Sequence, residues 1–241
     1  MKAILRRELV AYFTSPIVYV YLAIFTFFSG LFFTVGCLSA KTTNMASVYD
    51  SMFVVFLVII PILTMRLFSE EKKQRTDQGL LTAPVSITGI VMGKFLAATV
   101  VFCCGMLVFF VYALMLAAHS AVQWQLVFCY TIGMMLLGMA FISIGIFVSS
   151  LTESQIISAI GSFVFMMVIY LINSIAQLAG SAISGRAGLW ISDAIASLSF
   201  LTRFYEFTYG ILSFSAVLFF ISASAVMLFL TVKVIERRRY R

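Results

Sequence analysis

The sequence predicts an all-α, polytopic membrane protein whose six transmembrane helices form a single transmembrane domain over residues 1–241. Of these residues, 63% are hydrophobic and only 10% are charged, whereas a soluble domain carries about 25% charged residues. So few charged residues could not cover the surface of a water-soluble protein of this size. The apolar residues also extend along nearly the whole chain, so any nucleotide-binding or catalytic domain would have to be a separate polypeptide.

Six apolar segments are each long enough to cross a bilayer as a helix, which requires about 20 residues. The third is longer than required, so it would tilt or project beyond the bilayer. Glycine, alanine and serine are scattered through the last three segments, and such small residues allow close helix packing. We predict spans at residues 17–38, 48–68, 90–117, 125–149, 155–179 and 213–233.

The lysine and arginine residues predict the orientation of these spans. Three lie in the amino-terminal segment, five in the connection between the second and third spans, and five in the carboxyl tail. Only three lie on the opposite side, at Lys41, Arg186 and Arg203. Because cytoplasmic loops are enriched in basic residues, we predict that both termini are cytoplasmic. The basic residues flank apolar segments instead of forming a folded polar face, which argues against nucleic-acid binding.

The amino-terminal segment 1–15 mixes apolar and basic residues. Leu5 and Leu9 flank Arg6 and Arg7, a pattern typical of a short helix that lies on the inner membrane surface. A plain positively charged flank is the alternative interpretation. A serine–proline pair then turns the chain into the first span.

The polar segment 70–87 connects the second and third spans. It opens with charged residues and carries the pair Leu80 and Leu81 in its middle. Pro84 closes it, since helices usually end before a proline. We predict a short cytoplasmic helix that exposes an apolar pair, and an ordinary solvated loop is the alternative.

The segment 180–210 lies on the outer side in this topology. It is too short and too polar to form a crossing pair, yet it is rich in leucine, isoleucine and aromatic residues. An exposed loop would not need so many apolar residues. We therefore predict short helices that dip into the outer leaflet, with aromatic anchors at the interface.

Asn173 and Gln177 are polar residues within the fifth predicted span. Polar groups inside a bilayer usually face protein or a water-filled path. Their side chains are therefore predicted either to hydrogen-bond between helices or to line a translocation path. Glu153 lies in the short turn between the fourth and fifth spans, where one interpretation is a solvated residue that caps the next helix.

No group of residues has the spacing of a catalytic, metal or cofactor site. The four cysteines lack metal-ligand spacing, and the one histidine, His119, has no second ligand near it in the sequence. Residues 89–94 end in Gly-Lys, but Phe95 follows where a phosphate-binding loop requires serine or threonine. We therefore predict that the chain binds no cofactor and hydrolyses no ATP by itself.

Two stretches resemble the permeases of type-2 ABC (ABC-2) exporters. Residues 65–86 carry a pair of glutamates, a Leu-Leu pair and Pro-Val, and residues 93–97 begin with Gly-Lys. Residues 199–211 and 235–238, on either side of the last span, are similar too. The resemblance covers most of the chain and is closest to the gliding-motility-associated branch, which is related to the nitrous-oxide-reductase maturation permeases. The sequence departs from the pattern at Arg75, where the family often has glycine.

The resemblance implies a permease subunit of an ATP-driven exporter in a bacterial-type cytoplasmic membrane. It implies an amino-terminal interfacial helix, a coupling helix between the second and third spans, and short outer-leaflet helices before the sixth span. Two permeases, either copies or paralogues, would pair among membrane lipids, and two separate ATPase subunits would bind ATP and Mg²⁺. The residues that the resemblance places against the ATPase are Arg75, Thr76, Asp77, Leu80, Leu81, Pro84 and Glu153.

Two other classes of membrane protein fit less well. An ATP-independent channel or secondary transporter is expected to carry ionisable residues deep within its spans and often two matching halves, and neither feature is evident in the sequence. A membrane enzyme would need histidine, aspartate or glutamate residues clustered at one depth. The exporter permease is therefore the preferred interpretation.

Overall fold

The structure is a computed structural model that describes residues 2–76, 86–119, 121–182, 197, 199–208, 210 and 213–239. Among the described residues, six helices are long and apolar enough to cross a membrane, which confirms the predicted all-α, six-span fold. The described helices are α1 (Lys2–Thr14), α2 (Pro16–Phe33), α3 (Ala46–Thr64), α4 (Arg66–Lys73), α5 (Ile87–Ala117), α6 (Trp124–Leu151), α7 (Gln155–Ala182), α8 (Phe200–Thr208) and α9 (Phe214–Arg239).

The spanning helices are α2, α3, α5, α6, α7 and α9. The longest is α5, with 31 residues. At a rise of 1.5 Å per residue it is about 46 Å long, which exceeds the roughly 30 Å hydrocarbon core of a bilayer. One end of α5 therefore reaches beyond the apolar layer unless the helix tilts strongly, as the length of the third apolar segment predicts.

A serine–proline corner separates α1 from α2. The Ser15 hydroxyl accepts a hydrogen bond from the Ile17 amide at 3.3 Å, and Pro16 occupies the first position of α2. Serine caps helix starts and proline is favoured at the first helical position, where no amide proton is needed. The amino-terminal segment is thus a helix of its own. Its place relative to a bilayer stays a prediction.

The second span continues beyond its predicted end. α3 ends at Thr64 and α4 begins at Arg66, and the Met65 amide still donates to the Pro61 carbonyl at 2.8 Å. Charged residues 70–73 therefore complete α4, so they extend the second span instead of opening a new helix. Residues 74–76 then form a turn.

α6 is the central helix of the bundle and packs against α3, α5, α7 and α9. Glycines on α6 allow two of these neighbours to come close. A Cβ atom at Gly138 would lie 2.2 Å from Cζ of Phe102 on α5, and one at Gly145 would lie 2.1 Å from Oγ1 of Thr64 on α3. The small residues of the fourth span predict its contacts with α7 and α9, whereas its contacts with α3 and α5 were not predicted.

Gly145→Ala is expected to destabilise the protein by about 1–3 kcal/mol through overpacking. Thr64 has little freedom to move, because its hydroxyl donates to the Ile60 carbonyl at 3.0 Å. Gly161→Ala on α7 is the matched control, since its new Cβ would lie 3.1 Å from one methyl group of Val148. Thermal unfolding in detergent should separate the two variants. Equal stability would contradict the close α3–α6 contact.

Candidate functional site

Several elements meet at the end of the bundle that carries most of the basic residues. α1 packs against α5, and α4 packs against α6 and α7. The end of α9 lies nearby, because Glu236 and Thr88, near the start of α5, line one cavity. We call this end the basic end. The three basic groups that the sequence assigns to one side are therefore brought together by the fold.

Lys94 is the buried centre of an ion-pair cluster, which we define as Arg7, Glu8, Glu71 and Lys94, and in which Arg7 is half-exposed. The Lys94 Nζ atom lies 3.2 Å from Oε1 of Glu8 and 2.8 Å from Oε1 of Glu71. Arg7 Nη2 lies 2.6 Å and 2.9 Å from the same two oxygens. Burial lowers the pKa of Arg7, but the two carboxylates outweigh it and raise the pKa above its usual value. Two cations and two carboxylates thus join α1, α4 and α5.

Lys94, which belongs to α5, makes several of its contacts with groups of α4. Its side chain is only 1% exposed, and lysines are almost never fully buried unless they are paired. It also donates a hydrogen bond to the Leu67 carbonyl at 2.7 Å and lies 5.1 Å from the centroid of the Phe68 ring. Breaking a buried ion pair costs about 3–5 kcal/mol. The ion pair of Lys94 with Glu71 on α4, together with these two contacts, therefore strongly favours one position of α4 on α5.

The end of α6 holds the first turns of α4. The Ser149 hydroxyl accepts hydrogen bonds from the Phe68 and Ser69 amides at 3.1 and 3.2 Å, and it donates to the Met65 carbonyl at 3.1 Å. Amides at a helix start have no partner within their own helix, so Ser149 acts as a cap supplied by another helix. Lys72 donates a hydrogen bond to the backbone carbonyl of Ser150, the residue that follows Ser149 on α6.

The corner between α1 and α2 is tied to the end of the second span. Arg66 donates to the Ser15 hydroxyl at 2.6 Å and pairs with Glu70 one turn further along α4. The buried Tyr12 hydroxyl donates to the Leu63 carbonyl at 3.0 Å. These contacts, the ion-pair cluster and the Ser149 cap together form what we call the junction. It connects α4 to α1, α2, α5 and α6.

The predicted interfacial helix packs partly on protein. Leu5 and Leu9 lie against the hydrophobic core, whereas Arg6 is exposed and Arg7 belongs to the ion-pair cluster. Gly93 makes the approach of α1 to α5 possible, because a Cβ atom there would lie 2.9 Å from a methyl carbon of Ile4. The apolar face of α1 is therefore used in part for docking on α5, which the surface-helix prediction did not anticipate.

Three of the predicted ATPase contacts are described. Arg75 and Thr76 are exposed in the turn after α4, where Arg75 has a left-handed φ of 56° and the Thr76 hydroxyl donates to the Glu71 carbonyl at 3.3 Å. Glu153 is exposed in the turn between α6 and α7, and α4 packs against both of these helices. The two connections therefore emerge from the bundle beside each other. The other predicted contacts lie outside the described residues: Asp77, Leu80, Leu81 and Pro84.

The predicted outer elements are described only in part. Asn173 and Gln177 belong to α7, and their side chains lie outside the described residues. Of the external segment, a helix over Phe200–Thr208 precedes the last span. Arg203 and Glu206 pair on it at 2.8 Å. Most of the remaining segment, 183–196, lies outside the described residues.

Sequence reasoning missed the ion-pair cluster. Lys94 was assigned to the basic connection, but the structure places it two turns inside α5 and buries it. The available signal was a lysine within an apolar helix that has no acidic residue of its own. A buried lysine requires a carboxylate, and Glu8 and Glu71 are two of the six acidic residues in segments assigned to the same side, so the sequence alone does not identify its partners.

A comparison with protein families matches residues 5–169 to a model described as "ABC-2 family transporter protein". The match includes the whole junction, four complete spans and the first half of α7. A comparison with curated proteins gave no match. Because the family match covers well over half of the chain, the chain belongs to the ABC-2 family of transporter proteins and is a membrane permease component of an ABC transporter.

Proposed function

We propose that this chain is the permease subunit of an ATP-driven exporter and that separate ABC ATPase subunits, which bind ATP and Mg²⁺, drive it from the basic end. Both termini would then face the cytoplasm of a bacterial-type cytoplasmic membrane. Within the family, the motifs of residues 65–97 favour the gliding-motility-associated branch and its nitrous-oxide-reductase maturation relatives. The chain itself would bind no nucleotide.

The observation that carries this proposal is the attachment of α4. This helix leads directly into the segment that would contact the ATPase, and the junction fixes it to α1, α5 and α6. A displacement of residues 77–85 would pull on α4, and breaking the ion-pair cluster costs more than thermal energy supplies. The displacement would therefore pass to the second, third and fourth spans together.

A second permease, either a copy or a paralogue, would complete the translocation path. α7 is the least enclosed of the spanning helices, with only 17% of its most apolar stretch buried within the chain. That leaves a long surface for a partner helix or for lipid. Asn173 and Gln177 lie on the same helix, and polar side chains in a bilayer usually face protein or a water-filled path. We place the possible path along α7 for this reason.

Affinity purification from native membranes, followed by mass spectrometry, tests the proposal. We expect an ABC ATPase subunit to be recovered with the permease, at about one ATPase subunit per permease chain. ATP hydrolysis is expected only in the fractions that contain this subunit. The alternative is an ATP-independent channel or secondary transporter. Solute flux through liposomes that contain only the purified chain, with no ATP present, would favour that alternative and contradict the proposal.

A further inference from the structure

A groove of about 510 Å³ runs along one side of α9, between α5 and α6, and the junction does not use it. On α9 its lining residues are four adjacent pairs that recur every four positions from Phe220 to Lys233, followed by Glu236. Residues with this spacing lie on the same face of a helix. At 1.5 Å per residue this stripe is about 24 Å long, so the groove is narrow and elongated.

The walls of the groove are apolar along most of its length. α9 contributes Leu228 and Phe229, α5 contributes Phe95, and Met92 and Met139 add flexible side chains that can adapt to a ligand. Phe229 is 59% exposed, so the groove is open on its outer side, where a bilayer would lie. Its volume falls in the range of small-molecule and lipid-sized sites.

The charged residues that line the groove lie only at its end near the basic end, and the hydroxyl of Ser224 further along donates to the Phe220 carbonyl. Thr88 lies at the charged end, at the start of α5, together with Lys233 and Glu236 from the end of α9. The Lys233 Nζ atom lies 2.8 Å from Glu236 Oε2 and 5.6 Å from the centroid of the Phe229 ring. Arg237 and Arg238 follow and are exposed. The charges of the lysine and the glutamate cancel, and the two exposed arginines beside them give this end of the groove, which we call its mouth, a net positive charge.

We propose that the groove binds one acyl chain of an anionic phospholipid, whose phosphate lies beside Lys233 and the Thr88 hydroxyl. The polar mouth, the apolar walls and the length of about 24 Å together match a phosphate group joined to an extended hydrocarbon chain. Basic residues at a membrane surface attract anionic lipids. This site is separate from the junction, so lipid binding would not depend on an ATPase partner.

Native mass spectrometry of the purified, delipidated protein tests this proposal with two probes, phosphatidylglycerol and phosphatidylcholine of equal chain length. We expect wild type to retain one phosphatidylglycerol per chain in preference to phosphatidylcholine. Ala225→Trp, which fills the groove, should weaken retention by about tenfold or more. Ala23→Trp on α2 is the matched control at an exposed alanine outside the groove, and it should retain lipid as wild type does.

Two further variants test the role of the positive charge at the mouth of the groove. Lys233→Gln should remove the preference for phosphatidylglycerol, whereas Lys233→Arg should keep it, and neither change lies in the bundle core. Equal lipid retention by Ala225→Trp and wild type would overturn the proposal. So would a loss of preference in both Lys233 variants. Conversion of a dimer to a monomer by Ala225→Trp, with lipid retention unchanged, would show that a second chain occupies the groove and would also overturn it.

Discussion

Replacing Lys94 with methionine is expected to lower the free energy of unfolding by about 3 kcal/mol. The change removes the buried one of the two cations that Glu8 and Glu71 share, and breaking a buried pair costs about 3–5 kcal/mol. The lower end of that range applies because Arg7 stays within 2.9 Å of both carboxylates. Denaturant unfolding in detergent measures the loss, and release of α1 should accompany it.

An exposed lysine provides the matched control for this experiment. Lys233 is 57% exposed at its side chain and pairs with Glu236, and exposed ion pairs contribute at most about 1 kcal/mol. Lys233→Met should therefore change stability little. The triple variant Glu8→Gln, Glu71→Gln, Lys94→Met removes all three charges and should recover much of the lost stability. If the triple variant is no more stable than Lys94→Met, unpaired carboxylate charge is not the cause of the stability that Lys94→Met loses.

Replacing both Leu80 and Leu81 with aspartate is expected to abolish recovery of the ATPase with the permease. Full burial of a leucine contributes about 1.5–3 kcal/mol, and interfaces concentrate their energy in a few such anchors. Two anchors lost, with two charges added, would weaken binding by several orders of magnitude. The variant should still insert and fold, because this segment lies outside the predicted spans. Copurification and ATP hydrolysis by the recovered complex measure the effect.

The turn between α6 and α7 offers a comparison for the leucine variant. Glu153 is exposed there, and both helices that the turn connects contact α4. Alanine at both Glu153 and Ser154 should weaken ATPase recovery less than the leucine variant does. If the alanine variant loses the ATPase while the leucine variant keeps both binding and transport, the main contact lies at this turn and the assignment of residues 77–85 is wrong.

The six-span fold was predictable because a bilayer imposes a simple length rule. About 20 apolar residues suffice for a span, and each spanning helix contains one such segment. The grouping of basic residues at one end was also predictable, since it follows from counting residues between spans. Both signals are local in sequence and need no knowledge of which helices touch.

The junction was not predictable, because its contacts join residues that are far apart in sequence. Lys94 and Glu8 are separated by 86 positions, and Ser149 caps an amide 81 positions away. α4 also continues the helix beyond residue 68, the predicted end of the second span. Residues 70–73 are charged, but they continue as helix because the Ser149 hydroxyl and the Ser150 carbonyl hold α4 in place. Tertiary contacts decided where that helix ends.

We expect α1, α4 and α5 to move as one body when the ATPase acts. Cysteines at Ile4 and Gly93 test it, because a Cβ at Gly93 would lie 3.3 Å from the Ile4 Cβ, close to the separation in a disulfide. In a background without the four native cysteines, ATP hydrolysis by the purified complex is measured after oxidation and again after reduction. We predict equal rates in both states. A rate that falls on oxidation and recovers on reduction would show that α1 must slide on α5, and would contradict movement as one body.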